Sequence, residues 1–164
     1  MNIKEKMLEL NFDVRDLEFN KDYEREYFTF NRDSAIKALC YLIDNANKSI
    51  DIYHKPITNY KENLNNNKVL HSLYNNKKII IKYYTNYNSI DEVDRIKKYI
   101  GKNVEVINLR LGSKVTYHHK EINIDNKYII ITSLNFLTNN LVDDINHRSF
   151  WLENFSIWVR RSVD

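Results

Sequence analysis

Apolar and polar positions along the chain recur with two different periods, which separate predicted helices from predicted strands. The segment 35–47 predicts a helix whose apolar residues fall on one face, namely Ile36, Leu39, Leu42 and Ile43. Asp33 and Ser34 precede this segment and are good capping residues for it. Further helices are predicted at residues 59–76 and 91–100.

Shorter segments with apolar character predict the strands of a sheet. They cover residues 48–54, 77–85, 104–111 and 152–159. The run 77–85 is almost continuously apolar, which is typical of a central strand buried on both sides. Residues 115–124 and 128–133 flank the turn-forming pair Asp125 and Asn126, so they predict a hairpin. This order of elements indicates an α/β domain with a mixed β-sheet flanked by helices on both faces.

Residues 1–26 precede this pattern and are interpreted as an N-terminal extension to a main domain at residues 27–164. Ile3, Met7 and Leu10 predict a short amphipathic helix in the extension. That helix either packs on its own domain or on a partner chain, or it has a separate binding role. The extension lacks the long apolar core of a signal peptide, and we expect no transmembrane segment in the chain.

Composition narrows the function classes. The 164 residues suit a single domain, and one cysteine, Cys40, permits no internal disulfide and is typical of a cytoplasmic protein. Residues 1–31 hold five basic and eight acidic residues, which leaves 20 basic and 14 acidic residues in the rest of the chain. The main domain is therefore the basic part, which favours a nucleic-acid partner. Lysines and tyrosines interleave at residues 77–87, either as a nucleic-acid surface or as part of a core strand.

The segment 118–135, HHKEINIDNKYIIITSLN, holds the residues with the clearest chemistry: His118, Lys120, Asp125, Ser133 and Asn135. A neutral imidazole is a good nucleophile towards a phosphodiester, which repels hydroxide by its own charge. Lysine and asparagine donors stabilise the negative charge that develops on the non-bridging oxygens. A second acid must protonate the leaving oxygen. These residue types are the ones that cleavage of a phosphodiester needs.

The spacing of these five residues resembles the HKD motif of the phospholipase D superfamily, and the chain most resembles its small, single-motif bacterial nucleases. The resemblance covers the motif at residues 118–135 and the order of elements at residues 27–160. It implies that His118 is the nucleophile and that Lys120, Ser133 and Asn135 bind the substrate phosphate. It also implies a metal-independent mechanism without a cofactor, and no cluster of Cys and His residues suggests zinc.

Each of these residues also has a structural alternative. His118 could be a buried structural histidine. Asp125 has either a catalytic, binding or positioning role or only a local role in a turn, where aspartate is common. Ser133 and Asn135 follow a buried strand, where capping residues are also expected.

The chain contains one HxK sequence, because His54, His71 and His147 do not have lysine two positions later. The resemblance therefore implies a homodimer in which each subunit contributes one histidine to a shared site. It also implies that Glu153, at the start of the last strand, hydrogen-bonds His118 and orients its ring. One departure from the family pattern is Thr132, which stands where the family usually has glycine.

These observations favour an endonuclease that acts on DNA, with RNA also possible. A phospholipid hydrolase or transferase is the second hypothesis, and it would need exposed apolar residues such as Phe150, Trp151 or Phe155. The third hypothesis is a non-catalytic module that binds phosphate or nucleic acid.

Overall fold

The computed structural model of the protein describes residues 2–57, 64–137 and 153–162. The helices are α1 Ile3–Glu9, α2 Arg32–Asp44, α3 Lys68–Asn75 and α4 Ile90–Ile100. The strands are β1 Asp13–Asp16, β2 Tyr23–Thr29, β3 Ile50–Tyr53, β4 Ile81–Thr85, β5 Val104–Asn108, β6 Glu121–Ile124, β7 Tyr128–Thr132 and β8 Phe155–Arg160. All of these strands belong to one sheet, in the order β1-β2-β8-β7-β6-β3-β4-β5.

Strand direction makes this sheet mixed. β3, β4 and β5 run parallel to one another, and the other neighbouring pairs are antiparallel. The parallel strands are connected through α3 and α4, as crossover connections require, whereas a tight turn joins β6 to β7. The α/β fold with a mixed sheet that the sequence predicts is confirmed.

One face of the sheet forms the core with the helices. Side chains on alternate positions of neighbouring strands are fully buried there, for example Ile52, Ile122 and Ile157. The buried faces of α2 and α3 join the same cluster, through residues such as Leu39 and Leu73. α4 packs beside α3 and contributes Ile96 and Ile100.

The opposite face of the sheet, called the open face below, is less covered. Ile131 lies there with 44% of its surface exposed, and Ile129 is buried but stands outside the core cluster. Each of α1, α2, α3 and α4 contributes buried residues to the core cluster, and residues 58–63 and 138–152 lie outside the described part of the chain.

The start of α2, the burial of β4 and the start of β6 differ from the sequence prediction. α2 begins at Arg32, because Asn31 caps it and accepts a hydrogen bond from the Ser34 amide at 3.0 Å. β4 is buried on one side only, with Lys82 exposed on the open face. β6 begins at Glu121, so His118 and Lys120 lie in the segment that leads into the strand.

The N-terminal extension is part of the same core. Met7 of α1 is fully buried, and Phe12 packs edge-on against Phe155 of β8 at 6.0 Å between ring centroids. β1 pairs with β2, and the predicted boundary between residues 26 and 27 falls within β2. The helix of the extension thus packs on its own domain. None of the described helices combines the length and apolar character that crossing a bilayer requires.

Candidate active site

The antiparallel order of β6, β7 and β8 brings distant parts of the predicted motif to one end of the sheet. His118 and Lys120 lie directly before β6, Ser133 and Asn135 directly after β7, and Glu153 shortly before β8. Backbone hydrogen bonds link these segments, since the Thr132 amide donates to the Lys120 carbonyl and the Ser133 amide donates to the Asn154 carbonyl. Five of the six predicted site residues, all except Asp125, therefore lie at this end of the sheet.

Lys120 is the most buried charged group of the site, with 9% of its surface exposed. Its Nζ donates a hydrogen bond to the His118 carbonyl at 2.7 Å. Burial lowers the pKa of Lys120 and the charge of Lys55 lowers it further, while the charge of Glu153 acts in the opposite direction. A buried lysine beside another cation favours binding of an anion, because an anion restores the charge balance.

His118 and His119 are both exposed in the segment that leads into β6. His119 Nε2 lies 3.1 Å from the Glu121 carboxylate. His118 lies at the protein surface beside Lys120, where a substrate or a second protein chain can reach its ring. It is therefore not the buried structural histidine that the sequence left open.

Glu153 contacts Ser133 in the structure. Ser133 Oγ donates to Glu153 Oε2 at 2.6 Å and accepts from the Asn154 amide at 3.1 Å. Asn154 Oδ1 accepts from the Ser133 amide at 2.9 Å. This network fixes the start of β8 against the end of β7. Within the described residues Glu153 is bonded to Ser133 and not to His118, and its predicted role in orienting the histidine stays a prediction.

Thr132, which stands where the resemblance to the HKD motif leads us to expect glycine, turns its side chain into the protein. Its Oγ1 donates to the Asn154 carbonyl at 2.7 Å and accepts from the Leu134 amide at 3.0 Å. The side chain therefore pins the turn after β7 instead of projecting towards a substrate. Asn135 follows this turn, and its buried Oδ1 has no hydrogen-bond partner among the described residues. A hydrogen-bond donor from a ligand or from another chain would satisfy this oxygen.

His54 and Lys55, at the end of β3, are neighbours of the site that the sequence analysis missed. His54 is fully buried, its ring packs edge-on against Phe136 at 4.8 Å, and its Nδ1 lies 3.0 Å from the Lys55 carbonyl. Tyr83 also donates to that carbonyl, at 2.6 Å. These two contacts fix the backbone of Lys55. Lys55 lies close to Lys120 because Tyr53 and Glu121 are paired across β3 and β6.

Burial lowers the pKa of His54 to about 3, which keeps its ring neutral. The hydrogen bond to Lys55 opposes this shift, and the nearby charges of Lys120 and Lys55 add to it. A neutral, packed histidine here acts as a support for Lys55. The signal in the sequence was the pair His54-Lys55 directly after a strand, and only strand order shows that this strand lies beside β6.

Asp125 lies at the other end of the β6–β7 hairpin, roughly 13 Å away along a four-residue strand. Its Oδ1 accepts hydrogen bonds from the backbone amides of Asn47, Lys48 and Ser49 at 3.1, 2.7 and 3.1 Å. Asp125 and Asn126 have φ angles of 57° and 52°, as a tight hairpin turn requires. The structure therefore places Asp125 in a turn and loop contact and not with the other predicted site residues.

Among the described residues, no group of three or more His, Cys, Asp and Glu side chains is arranged to hold a metal ion. No protein-family model matches the sequence, and no curated protein matches it.

Solved structures do match the fold. Nuc, a phospholipase D family member from Salmonella typhimurium, is similar with a TM-score of 0.56 over 91% of this chain and 84% of its own. NucT from Helicobacter pylori is similar with a TM-score of 0.53 over 90% of this chain and 86% of its own. The identities are 17% and 14%. The chain has the phospholipase D superfamily fold. The predicted resemblance to this superfamily is confirmed at the level of the fold.

Proposed function

We propose that the protein is a metal-independent phosphodiesterase, and specifically an endonuclease that cuts DNA at an active site shared by two subunits. One observation supports this above all others: a phospholipase D fold gathers His118, Lys120, Ser133, Asn135 and Glu153 at one sheet end. Nucleophile, cationic donor and amide are the groups that phosphoryl transfer from a diester needs.

In the proposed mechanism, the neutral imidazole of His118 attacks phosphorus. A nitrogen–phosphorus bond forms, and the bond from phosphorus to the leaving oxygen breaks. His118 of the partner subunit gives its proton to that oxygen. The partner's imidazole, which is now neutral, then removes a proton from a water molecule. The oxygen of that water attacks phosphorus and the nitrogen–phosphorus bond breaks, which restores both histidines. Lys120 and Asn135 donate to the non-bridging oxygens throughout.

Two features make DNA a suitable substrate. The mechanism uses a histidine as the nucleophile, so it does not need the 2′-hydroxyl that RNA carries. The basic surplus of residues 32–164, 20 Lys and Arg against 14 Asp and Glu, favours a polyanion over a neutral lipid headgroup. RNA remains a substrate that the same chemistry would accept.

A cleavage assay tests the reaction. Labelled single-stranded DNA, duplex DNA, RNA and phosphatidylcholine are incubated with the protein in EDTA, beside the variants His118→Ala and His71→Ala. His71 is an exposed histidine of α3 and serves as the matched control. We expect DNA cleavage in EDTA that His118→Ala abolishes and His71→Ala leaves unchanged. Lipid turnover would support the phospholipase alternative, and binding of DNA without cleavage would support the non-catalytic one.

Mixed dimers test the shared site. Wild-type and His118→Ala chains are refolded together at constant total concentration and increasing variant fraction. If both histidines of a dimer are needed, activity falls as the square of the wild-type fraction. A linear decrease, or a monomer at micromolar concentration by sedimentation, would contradict a site that two subunits share.

A further inference from the structure

Four aromatic rings lie together on the open face, at the sheet end that carries His118. They belong to Tyr53, Tyr84, Tyr117 and His119, and we call them the aromatic platform. Tyr53 and Tyr84 are stacked, with ring centroids 4.6 Å apart and planes 7° apart. His119 meets Tyr53 edge-on at 6.4 Å, and Tyr117 meets His119 edge-on at 6.3 Å.

These rings are not part of the core. Tyr53 and Tyr84 alternate along their strands with Ile52 and Tyr83, which are fully buried on the helix-covered face. Tyr53, Tyr84 and Tyr117 are only partly buried, and His119 is exposed. The sequence left open whether the tyrosines near residue 83 belong to the core or to a binding surface. Strand alternation assigns Tyr83 to the core and Tyr84 to the surface.

The platform is adjacent to the residues of the candidate site. His119 lies between His118 and Lys120 in the chain, so the ring cluster includes the residue next to the proposed nucleophile. Loop 111–117 is anchored beside it, because the Asn86 side chain donates to the Gly112 and Val115 carbonyls at 3.0 and 3.1 Å. This loop holds Tyr117 in place next to the site.

Charges on the same face limit which part of a nucleic acid can lie there. Asp51 and Glu121 are partly buried beside the platform, and Glu121 is bonded to His119. Their carboxylates repel a phosphate chain, and Lys82 is the nearby cation that balances Asp51 in part. The backbone of a bound strand is therefore favoured at the sheet end, near Lys120, with its bases turned towards the rings.

We propose that the aromatic platform binds unpaired nucleobases next to the scissile phosphate, which makes single-stranded nucleic acid the preferred substrate class. Aromatic side chains stack on the faces of all bases, but bases inside a duplex are already stacked and paired. This inference rests on the proposed function for its link to cleavage, whereas binding of bases can be measured without cleavage.

The test measures binding in the His118→Ala background, so that no strand is cut. Fluorescence anisotropy compares a single-stranded DNA, a strand of the same length made of abasic sites, and a duplex. The variants are Tyr84→Ala, Tyr84→Phe, Tyr84→Leu and Tyr117→Ala. Tyr74→Ala is the matched control, since Tyr74 is 47% exposed on α3 and lies away from the platform.

We expect single-stranded DNA to bind on the order of tenfold more tightly than the abasic strand. Tyr84→Ala and Tyr117→Ala should each remove most of that difference without changing the affinity for the abasic strand. Tyr84→Phe should retain it, Tyr84→Leu should not, and Tyr74→Ala should have no effect. Thermal melting of each variant shows whether it is folded, and Tyr117, outside any strand, provides a second variant if Tyr84→Ala does not fold.

Equal affinity for normal and abasic strands in the parent background would overturn the platform. So would equal losses on both strands in Tyr84→Ala. These outcomes are separable from failure of the proposed function. A protein that cuts single-stranded and duplex DNA equally well refutes the platform and leaves the enzyme, whereas base-dependent binding without any cleavage refutes the enzyme and leaves the platform.

Discussion

Ser133 and Glu153, which are 20 residues apart in the chain, are joined by a hydrogen bond of 2.6 Å from the serine hydroxyl to the glutamate carboxylate. The bond links the segment after β7 to the segment before β8. It therefore ties a predicted phosphate-binding residue to the carboxylate that is predicted to orient His118.

If these two residues act as one unit, their substitutions should not be additive. We expect Ser133→Ala to lower kcat about tenfold by releasing the carboxylate. Glu153→Gln should lower it about a hundredfold or more, since an orienting carboxylate is lost. The double variant should be no slower than Glu153→Gln alone. Single-turnover rates on a DNA oligonucleotide measure this, and fully additive losses would show that the two residues act independently.

Asp125 provides a stability prediction. Asp125→Ala removes the acceptor of three backbone amides in the loop at residues 47–49, so the free energy of unfolding should fall by about 1–3 kcal/mol. The value of kcat should change less than twofold, because the residue lies at the far end of the hairpin. Urea denaturation and the cleavage assay measure both effects. Asp94→Ala, at an exposed position of α4, is the control. A large loss of kcat in a stably folded Asp125→Ala would restore a direct catalytic role.

The buried His54 makes stability depend on pH. Burial depresses its pKa from the ordinary 6.5 to about 3 in the folded protein. The unfolded chain therefore binds a proton that the folded chain does not bind between these values. The stabilising contribution is complete above pH 6.5 and is lost as the pH falls from about 6.5 towards 3.

His54→Phe keeps an aromatic ring against Phe136 and removes the titrating group. We expect the difference in unfolding free energy between wild type and His54→Phe to be constant above pH 7 and to shift in favour of the variant as the pH falls below 6.5. Urea denaturation at a series of pH values measures this difference. A difference that stays constant down to pH 4 would mean that His54 is protonated without cost in the folded protein.

Thr132 should act through stability. Thr132→Val keeps the shape of the side chain but loses both hydrogen bonds of Oγ1, so it should lower the free energy of unfolding by about 1–3 kcal/mol. Thr132→Ser retains the hydroxyl and should stay near wild type. Equal stability of the valine and serine variants would show that the hydroxyl does not hold the turn.

Lys55 is expected to contribute to anion binding. Lys55→Met should raise KM for a DNA oligonucleotide about tenfold with a smaller change in kcat, because one of two neighbouring cations is removed. Inorganic phosphate should raise the melting temperature of wild type more than that of Lys55→Met. Lys102→Met, at an exposed lysine outside the site, is the control. A fall in kcat with unchanged KM would instead assign Lys55 to the transition state.

Local patterns in the sequence were enough to predict α2, α4, the strands from β3 onwards, the hairpin and the mixed α/β fold, but not β1 and β2. These depend on residues near one another in the chain, whose spacing fixes which side of a helix or strand becomes apolar. The HKD spacing could be recognised for the same reason, since it lies within one hairpin and the residues beside it.

The sequence pattern could not show which residues from other strands would contact each residue of the motif. The order β7-β6-β3 placed His54 and Lys55 beside Lys120 and placed Asp125 against residues 47–49. The parallel pairing of β3 with β4 stacked Tyr53 on Tyr84. The sequence by itself determined most of the helices and strands of the main domain and the chemical groups of the site, because both arise from short-range spacing, whereas it did not predict β1 and β2. The tertiary structure decided which of those groups meet, because contacts between strands join residues that are distant in the chain.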